Sequence, residues 1–331
     1  MYFGSENCIY ACMAVLRAVG SFIEDSGIDD SWIEADIYGP ATTRQVLECK
    51  HYKRALAAHT CTLQALFKMY RDKFLNTTNP STRAEMKRVT ENLLQAFREG
   101  KSSAELNMVF EDLVAWIESH RVLFNQFIDR LKGNPTCKFY VNYMNMILSI
   151  LNFVRATRTV DWNLHLASLN SLSKYFFAFD RHKYARMVPL YLAEMKAIEK
   201  SDPELWKEFI DGNFAVNKSK VPFCSIGPDH AIQHENKWMK ETGGVVGITR
   251  NDSARERLFL VAPELSRLCR EFTEETSSDS PKQHHDLSAS VTMRNDLQVD
   301  KLLLTLSTHM NPFDEESTGD ELVNIITHTI M

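Results

Sequence analysis

A mainly α-helical chain, built as a multi-helix domain with a small α/β element near the C-terminal third, is what three features of this sequence predict. Apolar residues recur every three or four positions through most of the first 212 residues. Helix stop and start signals interrupt that recurrence at Gly27, Gly39-Pro40, Asn79-Pro80, Gly100, Gly133-Asn134-Pro135 and Asp202-Pro203. After Gly212 the texture changes to short apolar runs between polar and glycine-rich pieces. The boundaries that follow are 1–40 for an N-terminal helix with a short strand or turn, 41–212 for the helical domain, 213–276 for the α/β element and 277–331 for a flexible linker and tail.

Cys8, Ile9, Cys12, Val15, Leu16, Val19, Phe22 and Ile23 set one apolar face on a first helix that Gly27 closes. Trp32–Tyr38 reads as a strand or short helix before the Gly39-Pro40 turn. Thr42 or Thr43 then caps a long helix to about Phe74, with Val46, Leu56, Leu63, Leu66, Phe67 and Tyr70 facing inward. Beyond the polar break of residues 76–81, a helix runs from Ser81 to Gly100, which tolerates the positive φ of a helix end. Ser103 starts another, whose stripe includes Leu106, Val109, Phe110, Leu113, Trp116, Ile117, Leu123, Phe124 and Phe127. Two more cover roughly 137–158 and 162–179. Asp180 is placed to cap a helix over 181–199, from which Pro189 removes one hydrogen bond. Ser201-Asp202-Pro203-Glu204 restarts the chain with a cap before a first-turn proline.

Phe214–Val216 and Phe223–Ile226 have the length of strands. A helix from about Asp229 to Thr242, a strand over 245–248 and helices begun by Asn251 or Asp252 and by Pro263 follow. Residues 274–298 are rich in Ser, Asp, Glu, His and Lys, offer little burial against their ordering entropy, and are expected to form a flexible linker before a short helix over 301–308.

The 331 residues, 44% hydrophobic and 24% charged, supply one large core or two modest ones. A net charge of −5 removes any global basic field, so nucleic-acid binding requires a local basic face. The seven cysteines contain no CxxC pair and read as buried, reduced thiols, Cys224 among them. No basic region precedes an apolar run and a small-residue cleavage site at the N-terminus, so an intracellular protein is expected, nuclear or cytoplasmic. The apolar run Phe139–Val154 is short and broken by Asn142, Asn145 and Asn152, which predicts a core helix and no membrane association.

Candidate chemistry gathers mostly in the last third. His230 and His234, four apart, share a helix face as a minimal metal-ligand pair, although H-x-x-x-H-E differs from H-E-x-x-H, no third ligand is evident, and hydrogen-bonded surface or interface histidines explain them better. Asp229, with Asp36, Asp180 or Glu235 as companions, could hold a catalytic Mg2+ if the carboxylates converge; otherwise no cofactor is expected. As helix-start residues, Asp180 and Asp229 are also explained by local capping. Arg181, Lys183, Arg186, Lys218 and Lys220, with Tyr184 and Trp238 as stacking surfaces, make a candidate DNA-binding face, or simply solvated helix faces. Asn311-Pro312-Phe313 can present a phenylalanine to a protein partner. The run Gly243-Gly-Val-Val-Gly247 lacks both dinucleotide and P-loop spacing.

Four blocks, Ala35-Asp36-Ile37, His182–Met195, Phe223–Met239 and Gly243–Arg257, together with the Asn-Pro-Phe at 311–313, resemble a large uncharacterised family found in mobile-element surroundings. Its members look like transposase-related proteins with an RNase-H-like core interrupted by a helical insertion. The resemblance implies a last catalytic acid in the helix after Ile226, where an aspartate is followed four residues later by glutamate. Here Asp229 is followed by Gln233, and a carboxamide is neither a negatively charged metal ligand nor a general base. Glu235 lies about 200° around the helix from Gln233. The first acid and its strands would come from upstream of Ser21, where little chain precedes the first helix, so a truncated member is expected. The implied function is a catalytically incomplete, transposase-derived nucleic-acid-binding or assembly protein; a metal-dependent nuclease or transposase fragment and a helical interaction scaffold are the alternatives.

Overall fold

The computed structural model describes residues 8–78, 80–99, 103–217, 223–228, 230–234, 284–309 and 313, with scattered positions between 256 and 268. They are mainly α. The helices are α1 (Cys8–Ile23), α2 (Ile28–Glu34), α3 (Pro40–Leu47), α4 (Tyr52–Thr77), α5 (Pro80–Arg98), α6 (Ser103–Leu131), α7 (Pro135–Thr159), α8 (Trp162–Ala178), α9 (His182–Ser201), α10 (Pro203–Ile210) and α11 (His284–His309).

Two compact units divide the chain: one takes in Leu16–Leu148 and resumes at Asp296, the other holds the residues up to Val15 and Ser149–Asn295. In the first, termed the α2–α6 unit, Gly20 of α1 lies so close to α3 that a Cβ there would stand 2.0 Å from the Leu47 carbonyl oxygen. Trp32 Nε1 donates to Thr62 Oγ1 at 2.8 Å, and His59 Nδ1 lies 3.0 Å from Tyr143 Oη, tying α2, α4 and α7 through a buried polar row. Phe22 stacks on Phe139 at 4.7 Å, and Phe74 meets Phe124 and Phe127 at 5.3 and 5.4 Å. α5 and α6 pack on each other. Val299, Leu302 and Leu306 of α11 are buried, and Asp300 pairs with Lys68 of α4 at 2.8 Å.

In the α8–α10 unit, α8 and α9 pack together and α10 lies against both. Trp162 is the hub, with Phe209 at 4.6 Å, Phe214 at 5.1 Å and Trp206 at 5.9 Å, while His165 stacks on it at 5.3 Å. Asp202 caps α10 by accepting from the Leu205 N–H at 3.0 Å, as the Asp-Pro restart predicts.

Four expectations are corrected. No strand occurs among the described residues: Phe214–Val216 and Phe223–Ile226 meet only in one antiparallel bridge between Val216 and Ile226, too short a ladder for a sheet layer. Trp32–Tyr38 is not a strand: its first residues end α2, the short helix expected as the alternative there, and turns follow. The long helix expected from Thr42 is two, because Cys49 at φ 49° ends α3. The linker expected to Gln298 is helical from His284, its C-terminal part anchored by Val299, Leu302 and Leu306, which lie at helical spacing. The strand expected at 245–248 lies outside the described residues. No helix among them is long and apolar enough to cross a membrane.

Candidate nucleic-acid interface

The turn between α8 and α9 is set by backbone hydrogen bonding. Asp180 adopts φ 51°, its N–H donates to the Phe177 carbonyl at 3.3 Å, and the Arg181 N–H donates to the Phe176 carbonyl at 2.8 Å. This pair is a Schellman closure, with Asp180 in the left-handed position that aspartate tolerates better than most side chains. Asp180 therefore ends α8 and does not cap α9; the N-cap of α9 is Arg181, which makes no side-chain cap bond.

The reversal sets the last turns of α8 beside the first turns of α9. Residues 174–186 hold four cations, Lys174, Arg181, Lys183 and Arg186, and the single carboxylate of Asp180, a local formal charge of +3 in a chain of net −5. Lys174, Lys183 and Arg186 are exposed, with no ion pair among the described residues, and the Nε of Arg181 is buried with no acceptor. Lys174 Nζ stands 4.9 Å over the Tyr175 ring and Lys183 Nζ 5.9 Å over that of Tyr184, which stacks on Phe176 at 5.1 Å. Phe177 is 58% exposed. Unpaired cations offer contacts to phosphate, and exposed aromatic faces offer stacking to bases.

The corner unites Arg181, Lys183, Tyr184 and Arg186 of the expected face; Lys218, Lys220 and Trp238 lie outside the described residues. Sequence reading missed Lys174, Tyr175 and Phe177, which precede the turn. The seven-residue step from Lys174 to Arg181 carries their signal only if the chain reverses at Asp180.

The candidate carboxylates are placed differently. Asp36, at φ 54°, closes α2 as Asp180 closes α8: its N–H donates to the Ile33 carbonyl and that of Ile37 to the Trp32 carbonyl, both at 3.0 Å. Asp36 belongs to the α2–α6 unit and Asp180 to the α8–α10 unit, and each is accounted for by its own helix end. Asp229 and Glu235 lie outside the described residues. His230 and His234 are ring neighbours at 4.1 Å, as four-residue helical spacing dictates. No group of three or more His, Cys, Asp or Glu suited to a metal ion occurs among the described residues, so these do not supply a set that fits Mg2+. Gln233 donates through Nε2 to Tyr10 Oη at 3.1 Å, so the carboxamide that replaces the expected glutamate bonds to α1. Phe313 packs edge-on against Tyr70 at 5.1 Å under Lys73 Nζ at 5.3 Å, an intrachain seat for the tail phenylalanine; Asn311 and Pro312 lie outside the described residues.

Two histidines are buried among aromatic rings. Burial lowers the His59 pKa to about 3 and the His165 pKa to about 4. Both are neutral near pH 7, and each leaves one ring nitrogen without a hydrogen-bond partner among the described residues. Burial pushes the Cys49 and Cys61 thiols up to about 11, which makes them poor nucleophiles. Cys224, expected in the interior, is exposed, because the segment that holds it forms a bridge and not a covered strand.

A family model described as a domain of unknown function (DUF8702) matches residues 9–331. No curated protein and no solved structure matches the chain.

Proposed function

The chain belongs to the family described as a domain of unknown function (DUF8702), and from that premise we propose that it binds nucleic acid through the α8–α9 corner. The carrying observation is the local charge of +3, on exposed side chains with no ion pair among the described residues, beside the exposed Phe177 ring. A chain of net charge −5 gains nothing from long-range attraction of phosphate, so affinity rests on a few short contacts. We read the protein as transposase-derived and catalytically incomplete. On this reading the Val216–Ile226 bridge belongs to a small α/β element over 213–276, and Gln233 marks the acid that was replaced.

A metal-dependent nuclease would use Asp229 with Asp36, Asp180 or Glu235 as companions; Asp36 and Asp180 close α2 and α8 through their own backbone N–H groups and lie in different compact units. A scaffold acting through Phe313 needs that ring to leave Tyr70. Neither alternative has an observation in its favour comparable to the basic corner.

Fluorescence anisotropy with single-stranded and duplex oligonucleotides across a salt series tests the reading. Three phosphate contacts give a slope of roughly −3 in log K against log salt on duplex. Lys183→Ala/Arg186→Ala is expected to weaken binding about tenfold or more and to flatten that slope. Binding indifferent to salt and to this double substitution would sink the proposal.

A further inference from the structure

Resting on the nucleic-acid reading above, we infer that the α8–α9 corner takes single strands in preference to duplex, with an unpaired base stacked on Phe177 and neighbouring phosphates on Lys174 and Lys183. Of the aromatic rings at the corner, Phe177 stands apart. Phe176 is buried and stacks on Tyr184, whose ring also carries Lys183 Nζ. Tyr175 is half-buried with Lys174 Nζ over its ring, and Phe179 is half-buried where α8 ends. Phe177 is exposed and has neither a ring nor a cation against it among the described residues, so its flat face is open to a planar ligand.

Charge identifies that ligand. Phe110 of α6 is about as exposed, yet Glu111 and Asp112 follow it and would repel a phosphate. Lys174 precedes Phe177 by three residues on α8, which sets the two on one helix face about 5–6 Å apart. Across the reversal come Arg181 and Lys183. Lys174 and Lys183 lie over tyrosine rings, contacts that hold an ammonium without neutralising it. A single strand offers base faces and phosphates together. In duplex the base faces are covered by the stack and are reached only by flipping a nucleotide out, so Phe177 would lie against the backbone and gain nothing. Counterion release does not reverse this preference: for three phosphate contacts the salt slopes on duplex and single strand differ by ~0.6, about twofold in affinity between about 50 and 200 mM salt. One stacked base contributes about fivefold or more, so stacking decides.

Fluorescence anisotropy of the full chain with an oligothymidylate, an oligouridylate and a duplex of equal length tests this. Single strands are expected to bind about fivefold tighter than duplex or better. Phe177→Ala should weaken single-strand binding by about fivefold or more and leave duplex binding unchanged. Phe177→Leu, which keeps apolar bulk without a flat face, should behave like the alanine variant, whereas Phe177→Trp should retain single-strand affinity. Helical signal and melting temperature should match the parent in all three, because the side chain is exposed. Binding of either single strand ahead of duplex supports the proposal, and the tighter of the two names the sugar. Duplex bound as tightly as both single strands, or indifference to Phe177→Ala, overturns it; if Lys183→Ala/Arg186→Ala still weakens every oligonucleotide, the nucleic-acid reading stands without the stacked base. Absence of salt-sensitive binding to any of the three overturns both.

Discussion

At Val160 a β-branched residue sits at φ 58°, a conformation that costs roughly 1–2 kcal/mol for such a side chain. Its N-terminal helix, α7, closes there, with the Asp161 N–H donating to the Ala156 carbonyl at 2.9 Å. Against Val160 lies Gly212, at φ 98°, where a Cβ would stand 3.0 Å from Val160 Cγ1. Gly212→Ala is therefore expected to destabilise by about 1–3 kcal/mol, from backbone strain and crowding together. Adding Val160→Gly should return part of that loss by removing the facing methyls, and thermal unfolding of the single and double variants measures both. Asp36 and Asp180 occupy the same left-handed position at the ends of α2 and α8. Replacing either by glycine is expected to leave stability unchanged or raise it by up to about 1 kcal/mol, whereas Asp180→Val should cost about 1–2 kcal/mol. A glycine variant that unfolds earlier than the parent would show that the carboxylate itself contributes to the fold.

Between elements, α1 approaches α3 closely at Gly20. Gly20 is buried, and the atom its Cβ would strike is backbone, so no side chain can move aside to admit a methyl. Gly20→Ala is expected to cost about 3 kcal/mol by forcing the two helices apart, seen as a lowered denaturant midpoint. Capping separates two aspartates of similar sequence context: Asp202 holds the Leu205 N–H, whereas Asp180 holds no first-turn N–H of α9. Asp202→Ala should then cost about 1 kcal/mol and leave the rest of the fold intact. At α11, Leu302 is fully buried, and Leu302→Ala is expected to destabilise by about 2–5 kcal/mol. A near-neutral Leu302→Ala would mean that α11 contributes little to the unit that contains it.

Across the whole molecule, each compact unit carries a buried neutral histidine among its described residues, His59 in one and His165 in the other. Their folded pKa values lie below the usual 6.5, so below that pH the unfolded chain binds protons the native state does not. Stability is full above pH 6.5 and falls as pH drops toward about 4 for His165 and about 3 for His59. From pH 7 to 5 each histidine is expected to remove about 2 kcal/mol, before most carboxylates titrate. Denaturant unfolding at the two pH values, with His59→Asn and His165→Asn, checks this: each substitution should flatten the pH dependence by its own share. Sequence pattern was enough to predict the helical class, the break at residues 133–135, the Asp202-Pro203 restart and the basic residues of α9, because periodicity and capping are local properties. It failed where long-range packing decides. Cys49 divides an unbroken periodic run, and a polar segment continues into a helix whose C-terminal residues are buried. Asp180 shows the same divide at the site: its sequence neighbourhood fits an N-cap, and only the Phe176 and Phe177 carbonyls accepting bonds across the turn make it a helix end. What the sequence alone determined is the helical class, the locally capped restarts and which residues are charged. Which charges stand together at the α8–α9 corner, and which aspartates are committed to backbone geometry, only the tertiary structure decided, because chain reversal sets those neighbours and local propensity does not encode it.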